Sequence, residues 1–471
     1  MRGILGPIGR WLNLRFEPED SVLAVLRHPV PAALERPVGW WYVFGSATLA
    51  VFIVQVVTGV GLAMAYVPAP NSAYESLQFI SNDATLGHVV RGIHYFGAGA
   101  MVVLVLVHMT QVFLFGSYKF PREANWMSGS LLLLATFGMA FTGQLLRWDQ
   151  DAFWAIVVAA EQVSRAPFVG SFLASFVIAG QNVGGATLTR FYATHVFLIP
   201  AALFGLLGLH LYLVVKRGIS EPPVAGERID PRTYLARYKD LLGRGIPFYP
   251  DAAYRDAVIS FLAVLAIVVL AVVAGAPMLG KPPDPTIIVA DPRPDWYFIG
   301  YFALLAIIPN GLESVIIIGL PTLAFLFLFA LPLIRPTGER HVSRRPMAIA
   351  AVGLGLIVYG ALTIVGFQSP WAPLAAKGAS LPTTVLAGLD PAERNGADLF
   401  LRKSCFSCHV LDGAGGRRGP DLSNIGARRS HDQLATTILN GQGGAMPSFA
   451  SALTPQELAD LVAFLGSREK R

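Results

Sequence analysis

Apolar positions along the chain gather into seven long runs, separated by segments rich in polar residues, glycine and proline. An α-helix rises 1.5 Å per residue, so about 20 apolar residues are needed to cross roughly 30 Å of hydrocarbon. Seven runs are long enough, and they lie near 40–66, 91–116, 127–147, 190–215, 256–279, 312–334 and 347–367. The pattern predicts an all-α protein built on a bundle of seven transmembrane helices.

Two other apolar stretches, around 152–180 and 298–309, contain charged residues or prolines and are too short or too interrupted to span a membrane. We expect them to form helices at the membrane interface or on the surface. After residue 367 the apolar runs shorten, and glycine, proline, arginine and aspartate become more frequent. This change predicts a linker at 368–388 and a small all-α water-soluble domain at 389–471.

Two helix starts are well marked in that C-terminal domain. Asp390-Pro391 is followed by Glu393, and Thr454-Pro455 is followed by Glu457. A capping side chain, a proline at the first helical position and a glutamate at the third together satisfy the free backbone N–H groups of a helix start. The pattern predicts helices that begin after Asp390 and Thr454.

The composition agrees with a membrane protein. Hydrophobic residues make up 54% of the chain and charged residues 14%, whereas soluble domains carry about 25% charged residues.

Nineteen lysines and arginines fall in the N-terminal 39 residues and in loops 117–126, 216–255 and 335–346, against six in the alternate loops. Cytoplasmic loops collect positive charge, so we expect segment 1–39 in the cytoplasm and the C-terminal domain outside. The net charge of +6 is then explained by the lysines and arginines of the cytoplasmic loops. It gives no reason to expect a nucleic-acid partner.

The first 39 residues carry charges and prolines throughout and lack an apolar core with a cleavage site, which argues against a signal peptide. The chain is therefore predicted to be an integral protein of the bacterial inner membrane.

The only two cysteines form the sequence Cys405-Phe-Ser-Cys408-His409. In a C-x-x-C-H signature the thiols bond the edge of a haem and the histidine binds its iron. A disulfide and half of a zinc site are the alternatives, but zinc needs two further ligands and only His431 is near in sequence. Met446 is the only methionine after the signature and is the candidate second axial ligand. Histidine and methionine ligation raises the reduction potential.

Four histidines lie in two of the predicted spans. His94 and His108 are 14 residues apart, and His195 and His210 are 15 apart. Either spacing is close to four helical turns, so each helix presents two imidazoles on roughly one face, about 21 Å apart. The pairs His94 with His195, near the outer face, and His108 with His210, near the inner face, would each clamp one b-type haem. The alternative is four separate histidines bonded to backbone or water. Placing a histidine within a membrane costs free energy, however, and such histidines are usually functional.

Glycines repeat with the same spacing on the first and third spans. A glycine removes the side chain where a flat macrocycle approaches the backbone, but small residues also serve ordinary helix packing. The pairs that lie 14 residues apart are Gly45 with Gly59 and Gly129 with Gly143.

Residues 30 to about 367 resemble the cytochrome b of quinol:cytochrome c oxidoreductases, the cytochrome bc family. The similar stretches are RGIHYF (91–96), GSYKFPRE (116–123), TFGMAFTGQLLRWDQDAFWA (136–155), TLTRFYATH (187–195) and PDWYF (294–298). The 15-residue histidine step is similar to the chloroplast branch. By that resemblance, a dihaem core at 40–215 is fused to a subunit-IV-like region at 216–367. Val43 stands where that branch has a haem-attaching cysteine, so the extra haem of that branch is not expected.

The tail has a first helix that ends in C-x-x-C-H, a Gly-Pro-Asp-Leu stretch at 419–422, the pair Met446-Pro447 and a final helix. In these features it resembles a class I cytochrome c. The resemblance implies that the Pro420 carbonyl holds the His409 ring. It also implies that Gly396 and Phe400 pack against the last helix near Phe464.

The resemblance also implies a quinol site. In the family, a Pro-Glu-Trp-Tyr motif carries a carboxylate that takes a proton from quinol, and here the motif is Pro294-Asp295-Trp296-Tyr297. A partly desolvated carboxylate with a raised pKa can do the same work, and Tyr297 would flank the pocket. Segment 142–150 would form another wall, in which Arg147 replaces a proline of the chloroplast type. A turn followed by interfacial aromatic residues is the alternative.

Arg91 and Arg190, at the outer ends of the haem helices, match arginines that lie beside haem propionates in the family, and charge-assisted pairing suits that role. Solvated interfacial arginines are the alternative.

Together these features predict a quinol:cytochrome c oxidoreductase subunit that works by a proton-translocating Q cycle. One electron would pass through the two b haems to an inner quinone site, and the other through a Rieske protein to the fused c haem. A Rieske cluster needs two Cys and two His, and both cysteines of this chain are assigned to the c haem. The Rieske protein must therefore be a separate subunit. The predicted partners also include the quinone pool, membrane lipid, a further electron acceptor and a second copy of the complex.

Three other functions remain open from the sequence. A non-bifurcating dihaem anchor of a quinone-linked dehydrogenase would make Asp295 incidental. A haem-copper or nitric oxide reductase would need further membrane histidines. A structural subunit would bind no haem.

Overall fold

The structure is a computed structural model, and it describes residues 26–179, 183–284, 293–368, 380–403, 405–415, 419–441, 446, 448–450 and 452–468. Residues 1–25 of the predicted cytoplasmic segment and residues 369–379 of the predicted linker lie outside this description.

The seven predicted membrane spans are confirmed. Within the described residues, seven helices are long and apolar enough to cross a membrane, and they are Pro37–Ala65, Gly87–Leu114, Glu123–Leu145, Gly185–Arg217, Phe248–Val273, Leu312–Ile334 and Pro346–Gln368.

The α-helices of the membrane region are numbered in chain order. They are α1 (Phe44–Ala65), α2 (Ala73–Asn82), α3 (Gly87–Leu114), α4 (Glu123–Leu145), α5 (Gln150–Ser164), α6 (Gly170–Ile178), α7 (Gly185–Arg217, with a π-helical segment at Thr194–Leu198), α8 (Tyr234–Gly243), α9 (Ala253–Val273), α10 (Trp296–Ile307), α11 (Asn310–Ile334) and α12 (Pro346–Gln368). The stretches predicted to be too short to span form α5, α6 and α10, which are indeed short helices.

The spanning helices expose large apolar side chains. Met64, Val273 and Leu356 are 85%, 80% and 71% exposed, respectively. Exposed apolar surface on this scale is rare on soluble monomers. It suits membrane-spanning helices, whose outer faces contact lipid and whose backbone polar groups bond within the helix. In the bundle α1 packs on α3 and α4 packs on α7, while α9 packs on both α1 and α3.

One side of the bundle is rich in arginine. The Arg122 guanidinium is buried and donates to the phenol of Tyr234 (2.7 Å) and the carbonyl of Gly218 (2.8 Å). Arg340 pairs with Glu221 at 3.0 Å. Two antiparallel ribbons brace the same side, formed by β1 (Pro29–Val30) with β3 (Ile246–Pro247) and by β2 (Arg228–Ile229) with β4 (Gly338–Glu339). The loops that the charge bias assigned to the cytoplasm therefore lie together.

The opposite side joins three loops through hydrogen bonds between side chains and backbone. The bonds run from Tyr66 to the Leu146 carbonyl (2.8 Å), from Tyr74 to the Gly280 carbonyl (2.7 Å) and from Trp148 to the Pro70 carbonyl (3.2 Å). These bonds hold the α4–α5 loop against the segment that follows α1, and the segment that follows α9 against Tyr74 of α2.

The C-terminal domain has its own core of apolar residues. Its elements are α13 (Thr383–Leu386), α14 (Pro391–Arg402), the hairpin of β5 (Val410–Leu411) with β6 (Ala414–Gly415), α15 (His431–Asn440) and α16 (Pro455–Gly466). The two predicted capping boxes are confirmed: Asp390 and Glu393 exchange bonds of 2.8 and 2.9 Å, and Thr454 and Glu457 exchange bonds of 3.2 and 2.8 Å.

Helices α14 and α16 cross closely, as the resemblance to class I cytochrome c implied. A Cβ on Gly396 would lie 2.6 Å from the Cβ of Phe464, and the rings of Phe400 and Phe464 are 5.7 Å apart. Only glycine therefore fits at this crossing.

Candidate functional site

The structure brings the four intramembrane histidines together in two pairs between α3 and α7. The ring centres of His94 and His195 lie 6.4 Å apart, with their planes at 78°. Iron bound to one nitrogen of each ring at about 2 Å would hold two ring centres roughly 6 Å apart. His108 and His210 also lie close enough to interact electrostatically. The paired arrangement is therefore one that a bis-histidine haem would require.

A π-helical segment explains how α7 matches α3 despite its longer histidine step. Residues Thr194–Leu198, which include His195, are π-helical, and a π-bulge inserts one residue into an α-helix. The 15-residue step of α7 is thus equivalent to the 14-residue step of α3. Pro200 follows after one residue, Ile199, and a proline ring clashes with the carbonyl four residues earlier in a regular α-helix. The widened turn is placed where it relieves this clash.

Hydroxyl groups orient three of the four imidazoles. The contacts to the histidine Nδ1 atoms are Thr58 to His94 (3.0 Å), Thr142 to His195 (3.0 Å) and Ser128 to His210 (2.9 Å). Each hydroxyl already donates its one proton to a carbonyl of its own helix. It must therefore accept from Nδ1–H, which leaves the Nε2 lone pair available to a metal.

The sequence did not predict that these three residues contact the histidines. Each directly precedes one of the spaced glycines, in the dipeptides Thr58-Gly59, Ser128-Gly129 and Thr142-Gly143. This Ser/Thr-Gly repeat was the signal that could have revealed them.

The spaced glycines lie against the histidine rings. From the sequence they were predicted to leave room for the haem macrocycle beside the backbone. A Cβ on the glycine would approach the imidazole Cε1 to 3.3 Å for Gly45 and His108, 3.2 Å for Gly59 and His94, 3.4 Å for Gly129 and His210, and 2.6 Å for Gly143 and His195. The physical reason is the close packing of α1 on α3 and of α4 on α7, which leaves an imidazole no room beside a larger residue.

The two arginines predicted to bind propionates lie at the expected ends of α3 and α7. Arg91 donates to the hydroxyl of Ser81 (3.2 Å) and to the carbonyl of Pro277 (2.7 Å). Arg190 donates to the carbonyl of Phe176 at 2.7 Å. Both guanidinium groups thus donate hydrogen bonds to neighbouring segments in this structure. Their binding of haem propionates stays a prediction.

Asp295 and Tyr297 form a hydrogen-bonded pair at the start of α10. The Tyr297 phenol donates to Oδ2 of Asp295 at 2.7 Å, and Tyr359 of α12 donates to the Tyr297 carbonyl. Burial raises the pKa of the Asp295 carboxyl above its usual range, and the bond from Tyr297 and the positive charge of Arg147 oppose that rise. Burial, reinforced by the charge of Asp295, also raises the pKa of the Tyr297 phenol. This carboxyl is suited to exchanging a proton.

The α4–α5 loop, which contains Arg147, also lies near Asp295. Arg147 is paired with the fully buried Asp149 at 2.5 Å. Asp149 also accepts from the backbone N–H of Ala152 (3.0 Å) and of Gly280 (3.1 Å). The carboxylate of Asp149 thereby holds the Arg147 guanidinium, which lies within electrostatic reach of Asp295.

The C-x-x-C-H segment lies on the core of the C-terminal domain. His409 Nδ1 is 2.9 Å from the Pro420 carbonyl, so Nδ1–H donates and Nε2 is free to bind iron. A Cβ on Gly419 would lie 2.5 Å from the His409 Cε1. The bond from His409 to Pro420 that the resemblance implied is confirmed.

Neither alternative for the cysteines gains support. Cys405 and Cys408 are not joined by a disulfide, and burial raises the pKa of the Cys405 thiol to about 12. The described residues contain no group of three or more Cys, His, Asp or Glu side chains that could hold a metal ion. Met446 packs against the same core, and its role as an axial ligand stays a prediction.

Three family models match the chain. Residues 29–218 match "Cytochrome b/b6/petB", residues 282–385 match "Cytochrome b(C-terminal)/b6/petD" and residues 391–465 match "Cytochrome C oxidase, cbb3-type, subunit III".

Relatives of known name agree with these matches. Cytochrome b of Allochromatium vinosum is 31% identical over 375 residues, which cover 76% of this chain and 87% of that protein. Cytochrome b6 of Heliobacterium mobile is 39% identical over 213 residues, or 45% of this chain and 99% of that protein. The menaquinol:cytochrome c reductase cytochrome b subunit of Bacillus subtilis is 37% identical over 223 residues, or 46% and 100%.

A solved structure titled "Hyperthermophilic respiratory Complex III" is similar with a TM-score of 0.65 at 25% identity, and the similarity covers 77% of this chain and 91% of that one.

Proposed function

The chain belongs to the cytochrome b family, with a cytochrome c domain at its C-terminus, and from this premise we propose that it oxidises quinol at the outer face of a bacterial inner membrane. The family implies b-type haems, and the C-terminal domain implies a c-type haem. The chain is thus the cytochrome b subunit of a quinol:cytochrome c reductase-type complex, an integral membrane oxidoreductase.

Four histidines would hold two b haems without covalent attachment, in the pairs His94 with His195 and His108 with His210. The observation that carries this proposal is the 6.4 Å separation of the first pair, with hydroxyl groups that leave Nε2 free. When bound, the haems supply a path for single electrons. In the C-terminal domain, Cys405 and Cys408 would attach the c haem, and His409 and Met446 would be its axial ligands.

Asp295 would accept a proton from quinol. Oxidation of one quinol releases two electrons and two protons, and a carboxylate with a raised pKa can take one of these protons at the reacting hydroxyl. Tyr297 holds the carboxylate in place through its 2.7 Å hydrogen bond. Aspartate is one methylene shorter than the glutamate of the family motif, so its carboxylate would reach less far toward the substrate.

The complete reaction would be a proton-translocating Q cycle. One electron of each quinol would leave through a separate Rieske protein to the c domain, and the other would serve quinone reduction at the inner face. The tethered c domain would meet the Rieske protein at a high effective concentration. Relatives named as subunits of bc complexes support partnership with other subunits, and a homodimer of the complex is proposed from the same family.

Haem quantification of the purified protein tests the cofactor assignment. A reduced-minus-oxidised spectrum should show two b haems and one c haem per chain, whereas a single b haem would contradict the proposal.

Substitution of Asp295 then separates the proposed reaction from that of a non-bifurcating anchor. Asp295→Asn should lower quinol oxidation about a hundredfold or more, the usual contribution of a positioned base. Asp295→Glu, which restores the family carboxylate, should retain most of the activity. Equal activity of Asp295→Asn and the unchanged protein would favour the anchor.

A further inference from the structure

A small cavity opens where α7 ends, on the arginine-rich side of the bundle. Its volume is about 190 Å³, below the roughly 300–1,000 Å³ of pockets that enclose a drug-sized ligand. Within the described residues, no aspartate or glutamate lines it. We refer to it as the basic cavity, because basic residues from the end of α7, from α8 and from the segment before β1 surround it. They are Lys216, Arg217, Lys239 and His28.

The positive charge around the basic cavity is not balanced by the part of the chain that the structure describes. Lys216, Arg217 and Lys239 are exposed, and their side chains form no ion pair there. Asp240 directly follows Lys239, but its carboxylate pairs with Arg244. Like charges around one cavity repel each other, and an anion between them would replace that repulsion by attraction.

The basic cavity lies where a membrane-spanning helix leaves the lipid. Lys216 and Arg217 are the last two residues of α7, which has the length and hydropathy of a span. Val215, directly before them, is 40% exposed and Leu235 of α8 is 50% exposed, and both line the cavity. The site thus combines a cationic part with an apolar wall. A phospholipid has the matching pair, an anionic headgroup next to acyl chains, and basic pockets between membrane helices bind such headgroups on the cytoplasmic side.

One wall of the basic cavity is held by contacts within the protein. Tyr238 of α8 is buried, and its phenol donates to the Ile219 carbonyl. The Arg122 guanidinium lies 4.7 Å from the centre of the Tyr238 ring and donates to the Gly218 carbonyl at 2.8 Å. These contacts join the end of α7 to α8 and keep the lining cations near one another. A preformed site loses less free energy to ordering when a ligand binds.

We propose that the basic cavity binds the headgroup of an anionic phospholipid. Lys216, Arg217 and Lys239 contact its phosphate, and Val215 and Leu235 pack against the first carbons of an acyl chain. The bound lipid connects the end of α7, the last helix of the dihaem core, to α8 of the subunit-IV-like region. Neither haem nor quinol takes part in this site.

Matched substitutions separate the basic cavity from general surface charge. Lys216→Gln with Lys239→Gln removes two of its cations. The control is Arg228→Gln with Arg232→Gln, which removes two exposed cations of the same side that do not line the cavity. Full-length protein in detergent is stripped of lipid and titrated with phosphatidylglycerol, phosphatidylcholine or inorganic phosphate. Native mass spectrometry then counts the bound lipids and the chains in each particle.

The unchanged protein and the control should bind one phosphatidylglycerol per chain more tightly than phosphatidylcholine. The variant with Lys216→Gln and Lys239→Gln should bind phosphatidylglycerol about tenfold or more weakly, because each Lys or Arg near a headgroup adds to the attraction. All the substituted side chains are exposed, so thermal unfolding of the lipid-free proteins should be unchanged, which verifies that the variants are folded.

Three results would overturn the proposal. The first is equal binding of phosphatidylglycerol by the two double variants. The second is displacement of phosphatidylglycerol by inorganic phosphate at the same concentration, which would assign the basic cavity to a soluble anion. The third is loss of a dimer with unchanged lipid binding in the Lys216→Gln, Lys239→Gln variant, which would assign the cavity to contacts between copies of the chain.

Discussion

The phenol of Tyr297 donates a 2.7 Å hydrogen bond to Oδ2 of Asp295, and both side chains lie where α10 begins. The bond stabilises the charged carboxylate, against the burial that favours its protonated form. Burial thus raises the proton affinity of Asp295, while the hydrogen bond from Tyr297 and the charge of Arg147 lower it.

Removal of that bond should shift the pH dependence of quinol oxidation. In Tyr297→Phe the pKa of Asp295 rises further above its ordinary value, because a bond to the charged form is lost. A carboxyl that is protonated cannot accept a proton, so the acidic limb of the rate profile should move to higher pH and the rate near neutrality should fall several-fold. The measurement is kcat as a function of pH. Tyr95 and Arg147 also lie near Asp295 and are kept unchanged.

Tyr301→Phe is the matched control for this prediction. Tyr301 lies on the same helix, and its phenol bonds to the Ile317 carbonyl at 3.3 Å. This variant should keep the original pH profile. An unshifted acidic limb in Tyr297→Phe would contradict the assigned role of the Asp295–Tyr297 pair.

Gly143→Ala should displace His195, since its Cβ would lie 2.6 Å from the imidazole Cε1. The expected result is loss of one b haem per chain, measured by haem extraction and spectra. Gly129→Ala is the matched comparison, because its Cβ would lie 3.4 Å from the His210 ring, and a small shift of that ring would relieve the contact. Equal haem content in the two variants would show that the glycines do not limit the position of the rings.

Gly419→Ala should disturb the c haem alone. Its Cβ would lie 2.5 and 2.6 Å from Cε1 and Nδ1 of His409, so the ring must leave the Pro420 carbonyl. We expect a weakened or altered c-type absorption spectrum with both b-type signals unchanged. Ala414→Gly, in the nearby hairpin, serves as a control that alters the backbone without crowding His409. An unchanged c spectrum in Gly419→Ala would contradict the assigned position of His409.

Arg340→Met should destabilise the arginine-rich side of the bundle. Arg340 and Glu221 form a 3.0 Å pair with side chains only 4% and 10% exposed, and loss of one partner of a buried pair costs about 3–5 kcal/mol. Thermal unfolding in detergent measures the effect. The double variant Arg340→Met with Glu221→Gln should recover part of the loss, because it also removes the Glu221 carboxylate charge, which would otherwise keep only the more exposed Arg237 as an ion-pair partner at 2.9 Å.

The exposed pair of Arg244 with Asp240 is the control for that experiment. These side chains are 76% and 62% exposed, so Arg244→Ala should change stability by less than about 0.5 kcal/mol. A similar loss of stability in Arg244→Ala and Arg340→Met would show that burial does not decide the cost.

The sequence by itself determined the features that depend on local periodicity. Apolar run length predicted seven spans, and capping residues predicted the starts of α14 and α16. The spacing of the four histidines predicted their two faces, because a helix places residues at fixed angles along its axis. The C-x-x-C-H signature predicted the position of the c domain.

Only the tertiary structure decided which groups meet across helices. It placed Thr58, Ser128 and Thr142 on the imidazoles and turned the glycines toward the rings, and within the described residues it left His108 Nδ1 without a hydrogen-bond partner. It also showed that a π-helical turn before Pro200 absorbs the extra residue of α7. These contacts join positions far apart in the chain, so they depend on how the helices pack, and helical periodicity alone does not specify that packing.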